Sequence, residues 1–271
     1  MQIQFFNKES NWIYNDKAVV ALVGKKAEQQ FRKFSLTVDE VESVFPFVCF
    51  DSPHIEIDRE EVTQRYEDAL KNRMELCKTD MLFVLSELES MDEIEKCLLY
   101  GEQLKKNGLS FLITHKRNRH RDDLVDSISR FSHIIFVEDD STNLFYPAKQ
   151  LLCDYYRVSY IGIDMADVFS VYPQHTRKES CFTRKSFSNI KEMKKYSISL
   201  LEDIERKKET PDLMFFIEGS THTGIDEIEN ILYPFAEKYM DSQLIWSYYF
   251  DMNSMDESCT LTFQKVLPSK S

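Results

Sequence analysis

Five short runs of almost uninterrupted apolar residues constrain this chain more than any other feature. They lie at 17–23, 44–50, 80–85, 109–114 and 133–137. A strand with one wet face alternates apolar and polar residues. A run without alternation suits a strand covered on both faces, as in a parallel sheet. Helical patterns separate the runs, at 25–34, 58–77, 91–107 and 122–131. In the first of these Ala27, Phe31 and Phe34 share one side. Ser90 is placed to cap the third, with Glu93 as its capping-box partner, and Gly108 ends it. Strand, helix, strand, helix with short links predicts an α/β fold: a doubly wound, mostly parallel sheet.

The order changes after residue 143. Leu144, Leu151, Leu152, Tyr155 and Tyr156 recur at helical spacing and predict a central helix. The acidic segment 162–168 follows it and reads as a loop. Further on come a strand at 182–187, a helix at 190–208, a strand at 214–217, a turn at 219–224 and a helix at 225–240. Two strands, 244–250 and 259–266, read as a pair joined by the acidic turn 251–257. The expected organisation is an α/β domain over 1–143, a central helix and acidic loop over 144–171, and a smaller α+β domain over 172–271.

The formal charge of −12 argues against a general nucleic-acid or anionic-membrane surface, because backbone binding needs a basic field. The six cysteines form no C-x-x-C pair and sit mostly among apolar neighbours, which reads as reduced thiols. The start has no signal-peptide shape, and no apolar run reaches membrane-spanning length. The expectation is a soluble, cytoplasmic protein with no direct membrane insertion. The six histidines show no zinc-ligand spacing, so no metal is expected. Ser220, Thr221 and His222 share a turn without a carboxylate to orient them, which makes a hydrolytic triad a weak reading. The run 115–121 (His-Lys-Arg-Asn-Arg-His-Arg) is the strong basic cluster, and it follows a strand's C-terminal end. It reads either as a phosphate or acidic-partner site or as a solvated loop with balancing charges. Arg184 and Lys185 leave the same choice open.

Several stretches, in order, resemble FtsZ, the bacterial relative of tubulin. The segment 17–34 (Lys-Ala-Val-Val-Ala-Leu-Val-Gly-Lys-Lys-Ala-Glu-Gln-Gln-Phe-Arg-Lys-Phe) is similar to that family's first strand, first phosphate loop and first helix. The segment 44–53 resembles the next strand, 80–85 the strand entering the main phosphate loop, and 111–116 the strand after it. The segment 133–139 resembles the strand ending near the nucleotide's sugar and base. The central helix would be 144–156. Gly162 to Val168 resembles the catalytic loop Asn-x-Asp-x-x-Asp that one subunit lends to the next, and 214–265 resembles the C-terminal domain. The resemblance spans nearly the whole chain, and strands match better than motifs. It implies a tubulin/FtsZ-like GTPase fold, GTP or GDP as the family's cofactor, and self or an FtsZ/tubulin-like protein as partner.

The departures redirect the function. The whole chain holds six glycines, and the first loop keeps Gly24 alone, followed by Lys25 and Lys26. Where the family has Gly-Gly-Gly-Thr-Gly-Thr-Gly, this chain has Ser86-Glu87-Leu88-Glu89-Ser90-Met91-Asp92. Three carboxylates would face an anion there, without the nest of backbone N–H groups that holds phosphate. Gly24, Lys25, Lys26 and Asn143 remain as candidate nucleotide remnants, and a cap for the central helix is the stronger reading of Asn143. Asp164 and Asp167 match the family's catalytic carboxylates, although Gly162 replaces the leading asparagine. They read as a solvated turn, as an interface lent to a neighbouring subunit, or as a catalytic pair. The leading expectation is a pseudo-GTPase acting through protein association, without a cofactor. The alternative is a divergent GTPase whose site is completed in trans by Asp164 and Asp167.

Overall fold

The computed structural model describes residues 18–32, 47–50, 81–104, 109–120, 133–156, 161–163, 165–173, 176–220, 223–251 and 257–268. The helices expected at 58–77 and 122–131 lie outside these residues. The chain divides into two compact units. One holds the described residues up to Leu152 together with 176–179. The other holds those of 153–173 and from Ser180 onward.

In the first unit five strands are ordered β2-β1-β3-β4-β5: β1 (Ala18–Val23), β2 (Phe47–Phe50), β3 (Met81–Ser86), β4 (Leu109–His115) and β5 (His133–Val137). Every pairing among them is parallel. All residues of β3, β4 and β5 are buried, which is why their sequences do not alternate. One face carries Ala21, Val23, Leu82, Val84, Leu112, Ile134 and Phe136, packed against Ile94 and Cys97 of α2 (Met91–Leu104). The other face carries the register row Val20, Phe83, Phe111 and His133. Phe83 and Phe111 stack at 5.0 Å, and His133 lies 5.2 Å from Phe111. Burial pushes the His133 imidazole down to about 3, with Lys178 nearby adding to the effect, so the ring is neutral. Phe31 of α1 (Lys25–Arg32) meets Phe145 of α3 (Phe145–Tyr156) edge to face at 4.9 Å.

The second unit contains α4 (Met165–Val171), α5 (Ile190–Lys207) and α6 (Ile225–Lys238). Its strands β6 (Lys178–Phe187, in this unit from Ser180), β9 (Cys259–Pro268), β7 (Asp212–Ser220) and β8 (Leu244–Asp251) are neighbours in that order. Phe215, Phe235 and Phe263 form the centre of its core, with Phe215 4.8 Å from Phe235 and 5.0 Å from Phe263. Arg184 grips Glu218 through both guanidinium Nη atoms, at 3.1 and 3.0 Å. Its Nη1 also donates to Thr262 Oγ1, so Arg184 acts as a structural bridge across three strands.

Two expectations are corrected here. β8 and β9 do not pair with each other but flank β7, β8 parallel and β9 antiparallel. The crossover helix α6 returns the chain to β7 in the parallel sense, which no tight turn can do. The acidic segment is not all loop: Met165 to Val171 is helical, with Asp167 in its first turn.

Candidate functional site

Strand order reverses at β1. β2 lies to one side and β3 to the other, so the loops leaving the C-terminal ends of β1 and β3 diverge. That is where ligands bind in open α/β sheets. Gly24 follows β1, 86–90 follows β3, a 3-10 turn (Lys116–His120) follows β4, and 138–144 follows β5.

Gly24 has φ +90, in the left-handed region that favours glycine. A Cβ there would collide with the Glu93 carboxyl group. Glu93 Oε2 accepts the Glu89 N–H at 3.0 Å and the Ser86 hydroxyl at 3.2 Å. The Glu93 N–H donates to Ser90 Oγ at 3.2 Å, which is half of the predicted capping box. The other half is shifted by one residue, because the carboxylate takes the Glu89 N–H in place of that of Ser90. Leu88 lies beside the shifted bond. Its φ of 54 is left-handed, its side chain is buried, and its N–H donates to Ser86 Oγ at 3.0 Å. Glu93 therefore sets its charge at the N-terminal end of α2 and over Gly24, where α1 begins. Helix N-termini favour anions, and here the anion belongs to the chain.

Glu87 forms a second centre and is almost fully buried. Its Oε1 accepts from Gln30 Nε2 at 2.6 Å and from His115 Nδ1 at 2.9 Å. Its Oε2 accepts from Arg117 Nη2 at 2.6 Å. Asn118 Nδ2 donates to the Glu87 carbonyl at 3.0 Å and to Thr114 Oγ1 at 2.8 Å, fixing the loop from behind. His115 is fully buried, and its Nε2 faces the Thr142 carbonyl at 3.0 Å. A carboxylate and a carbonyl both accept, so both ring nitrogens donate and the ring is an imidazolium. Burial opposes charge on both groups. The Glu87 hydrogen bond, the Thr142 carbonyl and the Glu87 charge nevertheless hold the His115 pKa above its ordinary value. Burial likewise works against ionised Glu87, but His115 and then Arg117 hold its carboxyl below the usual range.

The expected three carboxylates facing outward are thus absorbed. Glu87 is enclosed, Glu89 pairs with Lys26, and Asp92 pairs with Lys96 at 2.9 Å. Half-exposed pairs such as Lys26–Glu89 contribute about 0–1 kcal/mol. Two cations of the basic run are balanced as well: Lys116 pairs with Glu138, and Arg117 reaches Asp140 at 3.4 Å besides Glu87. The side chains of Arg119, His120 and Arg121 lie outside the description.

Among the other candidates, Lys25 is exposed. Asn143 Oδ1 accepts the Phe145 N–H at 3.0 Å, and its Nδ2 donates to the Gln30 carbonyl. Gln30 Oε1 accepts the Leu144 N–H at 2.9 Å. Asn143 thus starts α3 and ties it to α1. Asp167 is half-buried in α4, and its carbonyl accepts the Ser170 hydroxyl at 2.7 Å. Asp164 lies outside the described residues, as do Thr221 and His222. Sequence reasoning missed the Gln30–Glu87–His115–Arg117 cluster. The available signal was that Glu87 directly follows β3, His115 ends β4, and neighbouring parallel strands bring their ends together.

No group of three or more His, Cys, Asp or Glu among the described residues could hold a metal. No helix among them is long and apolar enough to cross a membrane.

The sequence matches no protein-family model and no curated protein. Solved structures do match. An empty FtsZ dimer from M. jannaschii aligns at TM-score 0.63 and 11% identity, covering 93% of this chain and 88% of that one. CetZ2 from Haloferax volcanii, in a GTPγS-bound protofilament, aligns at TM-score 0.60 and 10% identity, with 94% of each chain covered. CetZ from Methanosaeta thermophila aligns at TM-score 0.58 and 12% identity, covering 94% and 87%. Likeness at such identity is a likeness of fold: this chain has the mostly parallel sheet and flanking helices of the tubulin/FtsZ-like fold.

Proposed function

We propose that this chain is a cytoplasmic pseudo-GTPase that works through protein association and turns over no GTP of its own. It assembles with itself, or caps or regulates an FtsZ/tubulin-like partner. The observation that carries this reading is the Glu93 carboxylate seated over Gly24 at the start of α1, held by Ser86 and the Glu89 amide. The chain supplies an anion at the edge where the resemblance would place phosphate. A second anion brought to about 4 Å meets a repulsion of about 4 kcal/mol at an effective dielectric constant of 20. The fold remains suited to association, and Asp164 and Asp167 are assigned to a subunit interface rather than to catalysis in this chain's own pocket.

The test combines nucleotide binding with sedimentation, with and without GTP. The expected result is no GTP or GDP binding at high micromolar concentration, with sedimentation as an assembly that GTP leaves unchanged. Tight GTP binding would replace this reading with the divergent GTPase. A strict monomer that binds neither nucleotide nor an FtsZ/tubulin-like partner would end both.

A further inference from the structure

Three donors from three elements meet on one carboxylate: Gln30 from α1, His115 from the end of β4, and Arg117 from the 3-10 turn. Two of them are cations. The arrangement is also bidentate. Oε1 takes the imidazolium and the amide, and Oε2 takes the guanidinium, so both oxygens of a planar group are read. We propose that Gln30, His115 and Arg117 form a carboxylate-binding cradle whose resident ligand is the chain's own Glu87. The loop 86–90 is then a plug held by a receptor–ligand contact, and a carboxylate from outside the chain is its competitor.

The inference deepens the pseudo-GTPase reading, and rests on it, by naming what recognises the plug. Several features make this a built site rather than a chance ion pair. His115 is fully buried, and its second nitrogen is fixed by the Thr142 carbonyl, so the ring cannot turn away from Glu87 without stranding a donor. Asn118 holds the Glu87 backbone, so the carboxylate is presented rather than merely tethered. Arg117 also faces Asp140 and the charge of Glu89, which position its guanidinium without enclosing it. Tethering gives Glu87 an effective concentration in the millimolar range or above. The intact chain therefore excludes dilute external carboxylates. Removing the side chain leaves the His115 ring and the Arg117 guanidinium facing a space the size of a carboxyl group, and a carboxylate entering it restores the charge that favours the protonated ring.

The full chain is compared with Glu87→Ala and with Glu87→Ala/Arg117→Ala by thermal melting, in sodium formate and in sodium chloride at equal ionic strength. Formate is expected to raise the Tm of Glu87→Ala saturably, by about 3–6 °C at ten times its Kd. It is expected to give no formate-specific shift in the unaltered chain or in the double variant. Equal effects of formate and chloride, or an equal formate shift in all three proteins, would overturn the cradle. Equal stabilisation by inorganic phosphate would overturn its preference for a planar carboxylate. Should Glu87→Ala not fold, Glu87→Gln keeps the volume, and the His115 ring is titrated by NMR. Its pKa is expected to fall, and an unchanged value refutes the contact. GTP binding by the unaltered chain would remove the pseudo-GTPase reading, whereas the formate arm decides the cradle separately.

Discussion

Gly24→Ala tests the central geometry directly. The substitution acts twice. First, φ of +90 must be held by a residue with a Cβ, which costs about 1–2 kcal/mol. Second, the new Cβ displaces the Glu93 carboxylate. That carboxylate is the end of a flexible side chain, so it can swing away. The cost is then the loss of its bonds from the Glu89 N–H and the Ser86 hydroxyl. Glu93 is half-exposed and water replaces part of what is lost, so about 1–2 kcal/mol is reasonable for the two together. The total for Gly24→Ala is about 2–4 kcal/mol. In a Glu93→Ala background the collision is gone and only the backbone part remains. The four proteins form a double-mutant cycle, with unfolding free energies read from urea melts. The expected coupling is about 1–2 kcal/mol, with the double variant more stable than the sum of the single effects. Strict additivity would show that Glu93 does not sit over Gly24. The account of the filled edge would then fail.

Three further outcomes are expected. The His115 pKa is raised on folding, so its contribution to stability is full below its ordinary 6.5 and is lost as pH rises through the raised value. The Glu87 pKa is lowered, so its contribution is present above its ordinary 4.5 and is lost as pH falls through the depressed value. Urea melts across pH should show stability falling on both sides. His115→Gln should flatten the alkaline side, where one proton accounts for at most about 1.4 kcal/mol per pH unit; an unchanged alkaline slope would remove His115 as its cause. Asn189 caps α5 by accepting the Glu192 N–H at 3.1 Å, so Asn189→Ala should cost about 1 kcal/mol in the same assay. Phe235 lies in the core beside Phe215 and Phe263, so Phe235→Ala should cost about 3–5 kcal/mol, and a loss below 1 kcal/mol would contradict its packing.

Much of the fold was legible because burial leaves a direct mark on local composition. The runs at 17–23, 80–85, 109–114 and 133–137 read as strands covered on both faces, and β1, β3, β4 and β5 fall on them within one or two residues. The helix expected at 190–208 is α5, because Asn189 supplies a cap that acts locally. The half-shifted capping box at Ser90 was not legible, because residue spacing gives the Ser90–Glu93 pair but not which loop N–H the Glu93 carboxylate takes. Nor was the pairing of β8 and β9 with β7 rather than with each other, since apolar alternation does not encode a strand's partner.

The sequence by itself determined that a parallel α/β sheet would form, and that its two key loops lack the glycines needed to wrap backbone amides around a phosphate. Those are properties of short segments and of residue type. Tertiary structure alone decided what stands in the glycines' place. Gln30, Glu87, His115 and Arg117 are separated by up to 87 positions, taking 117 minus 30, and nothing in the basic run or the acidic loop says that the two meet. They meet because β1, β3 and β4 are adjacent and parallel, so their C-terminal ends share one edge. A carboxylate that looks misplaced in the linear sequence becomes, at that edge, the counter-ion of a buried imidazolium and a guanidinium.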